Sequence, residues 1–236
     1  MNTFSRLATI LFALAVPVFL VTANVRWIAG DSWFYKQGFR TYEVTESTGL
    51  SLPQLDAIAD DMVLYFEDDR TNLNIQVTVD GEDTALFTPE ETEHMRDVKE
   101  LMTALFRVNE ISLAILLAYI GGVVLWTRER SPRQLARSTL AGVAVAFAVV
   151  AVIGVFALTG FDAAWTRFHE IAFRNDLWQL DPDTDRLIQL FPEPFWQDMT
   201  YLVGALIVIQ VLAVTATAAS YLWATRKSAE VYLPET

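Results

Sequence analysis

The chain has 236 residues, of which 53% are hydrophobic, with 29 acidic and 17 basic residues and no cysteine. The absence of cysteine excludes disulfides, thiolate metal sites and an acyl-cysteine intermediate on the protein itself. The apolar residues are concentrated in blocks rather than spread as the core of a soluble domain requires. This distribution predicts an integral membrane protein.

Four uncharged runs have the length needed to cross a bilayer as helices, which is roughly 20 residues. The sequence therefore predicts an all-α polytopic membrane protein: four transmembrane helices and a small α+β extracytoplasmic domain of amphipathic helices and one β-hairpin. The predicted segments are TM1 at 1–25, the extracytoplasmic loop domain at 26–109, TM2 at 110–127, a basic cytoplasmic loop at 128–137, TM3 at 138–161, an aromatic extracytoplasmic loop at 162–198, TM4 at 199–225 and a cytoplasmic tail at 226–236.

The distribution of basic residues predicts the orientation. Four arginines lie in the ten residues of segment 128–137, Arg6 precedes the first span, and Arg226 follows the last. The positive-inside tendency places these segments in the cytoplasm, so both termini are cytoplasmic and the two long loops face outward. A cleaved signal peptide is the alternative for the first span.

The first outer loop contains two elements before its histidine. The spacing of apolar residues predicts a helix over 51–67, and alternation predicts a β-hairpin at 72–87 with a tight turn at Asp80-Gly81.

The third element of this loop is an amphipathic helix at 89–108. Thr88 and Glu91 form its capping box, and His94 lies on or beside its apolar stripe. That stripe predicts a helix lying along the bilayer surface or packed against other outer elements.

The second outer loop is aromatic and predicts a helix from about residue 161 that is broken at Asp181-Pro182. His169 shares a face of this helix with Trp165 and Phe173. A shorter helix is predicted at about 184–191.

The enzyme signatures that depend on a serine elbow or a phosphate-binding glycine loop are missing. His169-Glu170 begins like a zinc-protease helix, but Phe173 stands where the second ligand should be. Two histidines without cysteine argue against a zinc site, so we expect neither a metal nor a cofactor.

The two histidines, one in each outer loop, have two interpretations. Each is a hydrogen-bonded interfacial residue, or together they form a general acid/base pair, because histidine exchanges protons near pH 7. Asp97 follows His94 by three residues, so it either orients that ring or is a solvated charge. Asp176 is predicted to return to the face of His169.

The arginines of the second loop also have two interpretations. Arg167 and Arg174 hold an anionic headgroup or a developing oxyanion, or they contact lipid phosphate without a role in chemistry.

Several stretches resemble a family of four-span bacterial membrane proteins that includes the lipoprotein intramolecular transacylase, Lit. The resemblance extends in order over nearly the whole chain, and the run from His169 to Ile188 is quite specific. The stretches are FYKQGF at 34–39, LNIQV at 73–77, HMRDVK at 94–99, FHEIAFRNDLW at 168–178, LDPxTDRLI at 180–188 and PE at 192–193.

The resemblance implies transfer of an O-linked acyl chain from the diacylglyceryl-cysteine of a lipoprotein to the α-amino group of the same cysteine. It implies a bacterial cytoplasmic membrane, a diacylated lipoprotein and membrane lipids as partners, no nucleic acid and a monomer. The catalytic residues would be His94 and His169. We expect substrate-binding or supporting roles for the following residues: Tyr35, Asp97, Arg174, Asn175 and Asp176.

An intramolecular acyl shift brings its own nucleophile, so the residues need only remove a proton and stabilise an oxyanion. Three other functions stay open at this point. They are a non-catalytic lipid or lipoprotein receptor, an interfacial lipase or other acyltransferase, and a structural subunit of a larger complex.

Overall fold

The computed structural model describes residues 3–79, 81–127 and 131–231. In chain order its elements are α1 (Thr3–Ala29), α2 (Ser32–Thr41), α3 (Val44–Thr48), α4 (Leu52–Glu67), β1 (Gln76–Val79), β2 (Glu82–Ala85), α5 (Pro89–Thr127), α6 (Ser131–Thr159), α7 (Phe161–Ala172), α8 (Arg186–Leu190) and α9 (Glu193–Val231).

Within these described ranges, four helices are long and apolar enough to cross a membrane, and they belong to α1, α5, α6 and α9. Together with the small two-stranded sheet they confirm the predicted fold class. The chain divides into two compact units. The spanning unit consists of Met1–Asn24, Arg107–Val155 and Val203–Thr236, and the loop unit of Val25–Phe106 and Phe156–Leu202.

The spanning unit packs through apolar clusters and one close helix approach. A Cβ atom added at Gly142 of α6 would lie 2.7 Å from the Val16 Cγ2 of α1, so only glycine fits there. Such small-residue contacts are typical of helix association in membranes, where apolar burial alone gives no driving force.

Polar side chains of the spanning unit are paired between helices. The Asn24 amide donates to Gln210 Oε1 at 3.0 Å, and the Gln210 amide donates to Asn24 Oδ1 at 3.1 Å. The Tyr119 hydroxyl is hydrogen-bonded to Thr9 at 3.0 Å and to Ser138 at 2.6 Å. These bonds join α1 to α9, and α5 to α1 and α6.

The core of the loop unit is a hydrophobic cluster centred on α4. Leu55, Ile58 and Met62 recur at helical spacing and are buried, as the sequence predicts. Helix α2, which the sequence analysis missed, packs on this cluster so closely that a Cβ at Gly38 would lie 2.5 Å from the Phe195 ring.

The predicted hairpin is confirmed with shorter strands. β1 and β2 pair antiparallel with Val77 opposite Thr84. Gly81 has a φ of 85°, a conformation that glycine adopts without steric cost. Asp80, the other predicted turn residue, lies outside the described residues.

The predicted amphipathic helix and the predicted TM2 are one continuous helix, α5, of 39 residues. The Thr88–Glu91 capping box is present, with both reciprocal bonds formed. The apolar stripe packs against the core of the loop unit through Met95, Val98 and Met102. This is the second of the two placements predicted for the stripe.

Helix α7 ends at Ala172, so the prediction of a helix reaching Asp181-Pro182 is wrong. Phe173 is extended, with φ −116° and ψ 146°. The Asn175 side chain then accepts from the Leu177 backbone N–H at 3.2 Å. Asparagine offers the backbone such a local partner in place of a helical one, which explains the early end. Asp176 therefore does not extend the helical face of His169.

Other segment bounds also differ from the prediction. Helix α6 begins at Ser131, so 131–137 is helical rather than a loop, and α9 already begins at Glu193. Pro194 fits the first turn of α9 because its missing N–H is not needed there. Residues 128–130 of the basic loop and 232–236 of the tail lie outside the described residues.

Candidate active site

His94 is buried one turn after the start of α5, where a buried carboxylate fixes the helix. Glu91 is 1% exposed. Its Oε2 accepts from the Thr88 N–H at 2.8 Å, and its Oε1 accepts from the Leu187 N–H of α8 at 2.7 Å. The side chain therefore ties the first turn of α5 to α8 and positions the His94 backbone.

His169 lies in the last turn of α7 and is 8% exposed. Its Nδ1 is 2.8 Å from the Trp165 carbonyl oxygen. Because a carbonyl only accepts, Nδ1 carries the hydrogen, and Nε2 of the neutral ring keeps a lone pair. The hydrogen bond thereby selects the tautomer that can accept a proton at Nε2.

The two imidazole rings lie beside each other, although 75 positions separate them in the sequence. Their centroids are 6.2 Å apart at an interplanar angle of 35°. The Phe173 ring contacts both rings, with centroid distances of 5.0 Å to His94 and 5.5 Å to His169. The extended turn after α7 places this phenylalanine against both histidines.

Other aromatic rings enclose His169. Trp165 and Phe168 approach it edge to face at 4.7 and 5.2 Å, and Trp178 lies at 5.1 Å with a tilt of 31°. The helical face predicted for His169 identified Trp165 and Phe173. Trp178 was missed as part of this site, since it follows the end of α7 and no helical spacing relates it to His169.

Burial lowers the pKa of both histidines. The pKa of His94 falls to about 4, chiefly through desolvation, with a smaller contribution from nearby His169 and an opposing one from Asp97. Desolvation also lowers the pKa of His169, and the Trp165 carbonyl opposes that change. Both rings are therefore neutral at neutral pH, so one can accept a proton and the other can donate a neutral N–H hydrogen bond.

His94 Nδ1 is a buried polar atom without a hydrogen-bond partner, and it is the one such side-chain atom in the described part of the chain. Buried polar atoms are nearly always paired, and an exception is costly. Such an exception calls for a physical explanation, and a catalytic role is one of those known.

The predicted supporting residues lie in two places. The Asn175 amide donates to Asp97 Oδ2 at 2.8 Å, which links α5 to the segment after α7. Arg174 is exposed and directly follows Phe173. Asp176 lines a cavity of about 270 Å³ together with Glu90 and Glu91 at the start of α5.

Tyr35 lies in the core of the loop unit instead. Its hydroxyl donates to the Ala29 carbonyl at 3.0 Å, and its ring packs against Phe191 and Phe195. Burial raises its pKa. These contacts give Tyr35 a role in holding α1, α2 and α9 together.

In the described ranges, no group of three or more histidine, aspartate or glutamate side chains is placed to hold a metal ion. The site is thus a buried histidine pair with aromatic walls, on a membrane protein without the serine elbow of a hydrolase. This combination defines a class of membrane protein suited to proton-transfer chemistry.

The family model described as lipoprotein intramolecular transacylase Lit matches residues 10–196. This chain belongs to that family, which confirms the resemblance found in the sequence, and it is a membrane acyltransferase of the intramolecular transacylase type. No curated protein matches the chain.

Solved structures of Lit from Bacillus cereus share the fold. One is 15% identical with a TM-score of 0.72, covering 98% of this chain and 100% of that chain. A variant of it with one histidine replaced by arginine is 16% identical with a TM-score of 0.75, covering 95% of both chains. A variant with that histidine replaced by alanine is 14% identical with a TM-score of 0.72, covering 95% of this chain and 96% of that chain.

Proposed function

We propose that this enzyme moves an O-acyl chain from the diacylglyceryl-cysteine of a bacterial lipoprotein to the α-amino group of the same cysteine, using His94 and His169. The product is an N-acyl, lyso-glyceryl lipoprotein. The single observation that carries this proposal is the distance of 6.2 Å between the ring centroids of the chain's only two histidines. The family membership supplies the class of reaction.

The reaction exchanges an ester for an amide. The α-amine attacks the ester carbonyl carbon, a C–N bond forms, and the amine loses a proton. The tetrahedral intermediate then breaks its C–O bond, and the departing glyceryl oxygen takes up a proton. Because donor and acceptor belong to one molecule, the protein gains rate by orienting them and moving that proton.

His169 is the base in this proposal. Nδ1–H bonded to Trp165 leaves Nε2 free to accept the amine proton. The resulting imidazolium then gives the proton to the glyceryl oxygen, so one side chain serves both steps. Its lowered pKa keeps the ring unprotonated at neutral pH, which is the form that the first step requires.

His94 is the oxyanion donor. With a pKa of about 4 it is not an imidazolium at neutral pH, so it is poorly suited to be the acid. A neutral imidazole nevertheless donates an N–H hydrogen bond, and burial makes that bond strong as charge develops on the carbonyl oxygen. The unpartnered Nδ1 fits a ring whose hydrogen bonding is completed by substrate.

The supporting residues act around this pair. The Asp97–Asn175 bond holds the segment after α7 against α5 and so maintains the distance between the rings. Arg174 and Asp176 are proposed to bind the polar part of the lipopeptide, and Tyr35 to keep α2 in place. No cofactor is needed, because the reaction involves neither redox chemistry nor an external nucleophile.

We further propose that the protein is a monomer in the bacterial cytoplasmic membrane, with both termini cytoplasmic and the loop unit on the extracytoplasmic face. The basic residues of segment 128–137 support this orientation. Diacylated lipoproteins in the outer leaflet would then present their ester groups to the loop unit.

Mass spectrometry of lipoprotein N-termini tests this function. Cells that lack other N-acylating enzymes would express the wild type, His94→Ala, His169→Ala or the control Glu93→Ala, which changes an exposed residue of α5. We expect the N-acyl lyso form with the wild type and the control, and its loss of at least about a hundredfold with either histidine variant.

Wild-type levels of the product in both histidine variants would contradict catalysis by the histidine pair. Release of free fatty acid without N-acylation would instead indicate a lipase. Lipoproteins that stay unchanged with every protein, the wild type included, would indicate a non-catalytic receptor or structural subunit.

A further inference from the structure

The aromatic rings around His169 approach it in two geometries. Trp165 and Phe168 are nearly perpendicular to the imidazole, at 74° and 80°. Trp178 and Phe173 lie closer to parallel, at 31° and 36°, with centroid distances of 5.1 and 5.5 Å. The smaller angles bring the second pair closer to a stacked arrangement with the imidazole, and both of its rings lie within the range of a cation–π contact.

No hydrogen bond or ion pair within the described ranges joins a carboxylate to His169. Its Nδ1 bonds to a carbonyl. On the neighbouring elements, Asp97 of α5 bonds to Asn175, and Glu170 of α7 pairs with Arg167. The ionisable ring of His94 on α5 lies beside it, and the charged residues Arg174 and Asp176 follow α7 in the sequence.

When His169 accepts a proton, it bears a positive charge although only 8% of its surface is exposed to solvent. In a serine-type triad a carboxylate stabilises that charge. Here the groups in contact are one carbonyl oxygen and aromatic rings, of which those of Trp178 and Phe173 lie closest to parallel with the imidazole. Tryptophan has the strongest attraction for a cation among the aromatic side chains.

We propose that Trp178 is a positioning residue that stabilises protonated His169 through the face of its indole ring, in place of a triad carboxylate. This inference rests on the proposed role of His169 as base. Phe173 contributes in the same way but more weakly, since its benzene ring has the smaller attraction for a cation. Neither ring touches the reacting atoms in this proposal.

A purely structural role for Trp178 makes the opposite prediction. If the indole only excludes water, weakening its electrostatic attraction changes nothing, and removing it hydrates the imidazole and raises the pKa of His169 towards 6.5. If the indole stabilises the cation, weakening that attraction lowers the pKa further. The sign of the change therefore separates the two roles.

The most direct test titrates the histidines by NMR in full-length protein labelled with 13C at histidine Cε1. The chain has two histidines, so His94→Asn and His169→Asn assign both signals. Trp178 is replaced site-specifically by fluorinated tryptophans, which keep the shape of the ring and weaken its negative face. The same replacement at Trp33, an exposed tryptophan, is the control.

We expect the pKa of His169 to fall stepwise with each added fluorine, by about one unit in total, and to stay constant in the control. An unchanged or raised pKa would overturn the proposal.

Ordinary variants provide the kinetic readout with a synthetic diacylated lipopeptide. The acid limb of the rate profile should move to lower pH in Trp178→Phe and further in Trp178→Leu, and Phe should retain the greater part of the rate. Equal midpoints in all three proteins would overturn the proposal. If His169→Asn kept full N-acylation, the base assignment would fail, while the NMR titration would still decide the role of Trp178.

Discussion

The spanning unit and the loop unit differ in how they satisfy buried polar side chains. In the spanning unit, Asn24 and Gln210 exchange two hydrogen bonds, and the Tyr119 hydroxyl has two partners. In the loop unit, Glu91 is equally well satisfied, but His94 Nδ1 has no partner among the described residues. Within the described ranges, the spanning unit has no such unpaired side-chain atom, whereas the loop unit has one.

The difference follows from the free-energy cost of leaving a polar group unpaired in hydrocarbon. Hydrocarbon offers no hydrogen bonds, so polar groups in membrane helices pair with one another or face inward. The loop unit leaves one atom unpaired inside its packed core, at a cost in free energy.

Replacing Glu91 with alanine should have the largest effect on stability. The change leaves the Thr88 and Leu187 N–H groups without their acceptor, so we expect the free energy of unfolding to fall by about 3 kcal/mol. Glu90→Ala, one position earlier and exposed, is the matched control and should change it by less than about 0.5 kcal/mol. Denaturant unfolding in detergent measures both, and equal losses would show that Glu91 does not fix α5.

Acid should remove stability that depends on neutral His94. The pKa of His94 is about 4 in the folded protein and ordinarily 6.5, so the unfolded chain binds the proton more readily between these values. Stability is therefore full above about pH 6.5 and falls as the pH drops towards 4, by up to about 3 kcal/mol.

Comparison with His94→Gln isolates this effect, because glutamine does not titrate. The stability difference between wild type and variant should shrink over the same pH interval. A difference that stays constant from pH 7 to 4 would mean that His94 is not buried as a neutral ring.

Breaking the Asn24–Gln210 pair of the spanning unit should lower the free energy of unfolding by less than the Glu91 change does. Asn24→Leu or Gln210→Leu leaves one amide without its partner and should lower stability by about 1 to 2 kcal/mol. The double variant should recover part of the loss, because no amide remains unpaired. Additive losses in this double-mutant cycle would show that the two amides are not coupled.

Breaking the Asp97–Asn175 bond should have the smallest effect on stability but a visible effect on rate. Asn175→Ala removes one exposed hydrogen bond, so we expect a loss of no more than about 1 kcal/mol and a several-fold lower N-acylation rate. Asn74→Ala, an exposed asparagine before β1, is the control for both measurements. A full N-acylation rate in Asn175→Ala would show that this hydrogen bond does not contribute to the activity.

Periodicity in the sequence predicted the parts of the fold that depend on local chemistry. The four spans, α4, the hairpin and the capping box at Thr88 each follow from spacing or turn residues within one segment. The end of α7 was missed because Asn175 competes with the helix through its own side chain, and apolar spacing does not register that competition.

The site was partly predictable for the same reason. The sequence pointed to both histidines and to the aromatic face of α7. The distance between the rings, the partner of Asp97 and the contact of Trp178 depend on long-range packing, which no local spacing encodes. The capping role of Glu91 was predicted from the sequence. The hydrogen bond from the Leu187 N–H of α8 to its second carboxylate oxygen was not.

The rate of N-acylation by purified, reconstituted protein shows whether the two histidines catalyse the acyl transfer. It is measured with one synthetic diacylated lipopeptide by following the product masses over time. We expect N-acyl lyso product from the wild type, and a rate at least about a hundredfold lower for His169→Asn and for His94→Asn. Cooperative denaturant unfolding shows that each variant is folded. Full rates in these folded variants would contradict catalysis by the histidine pair.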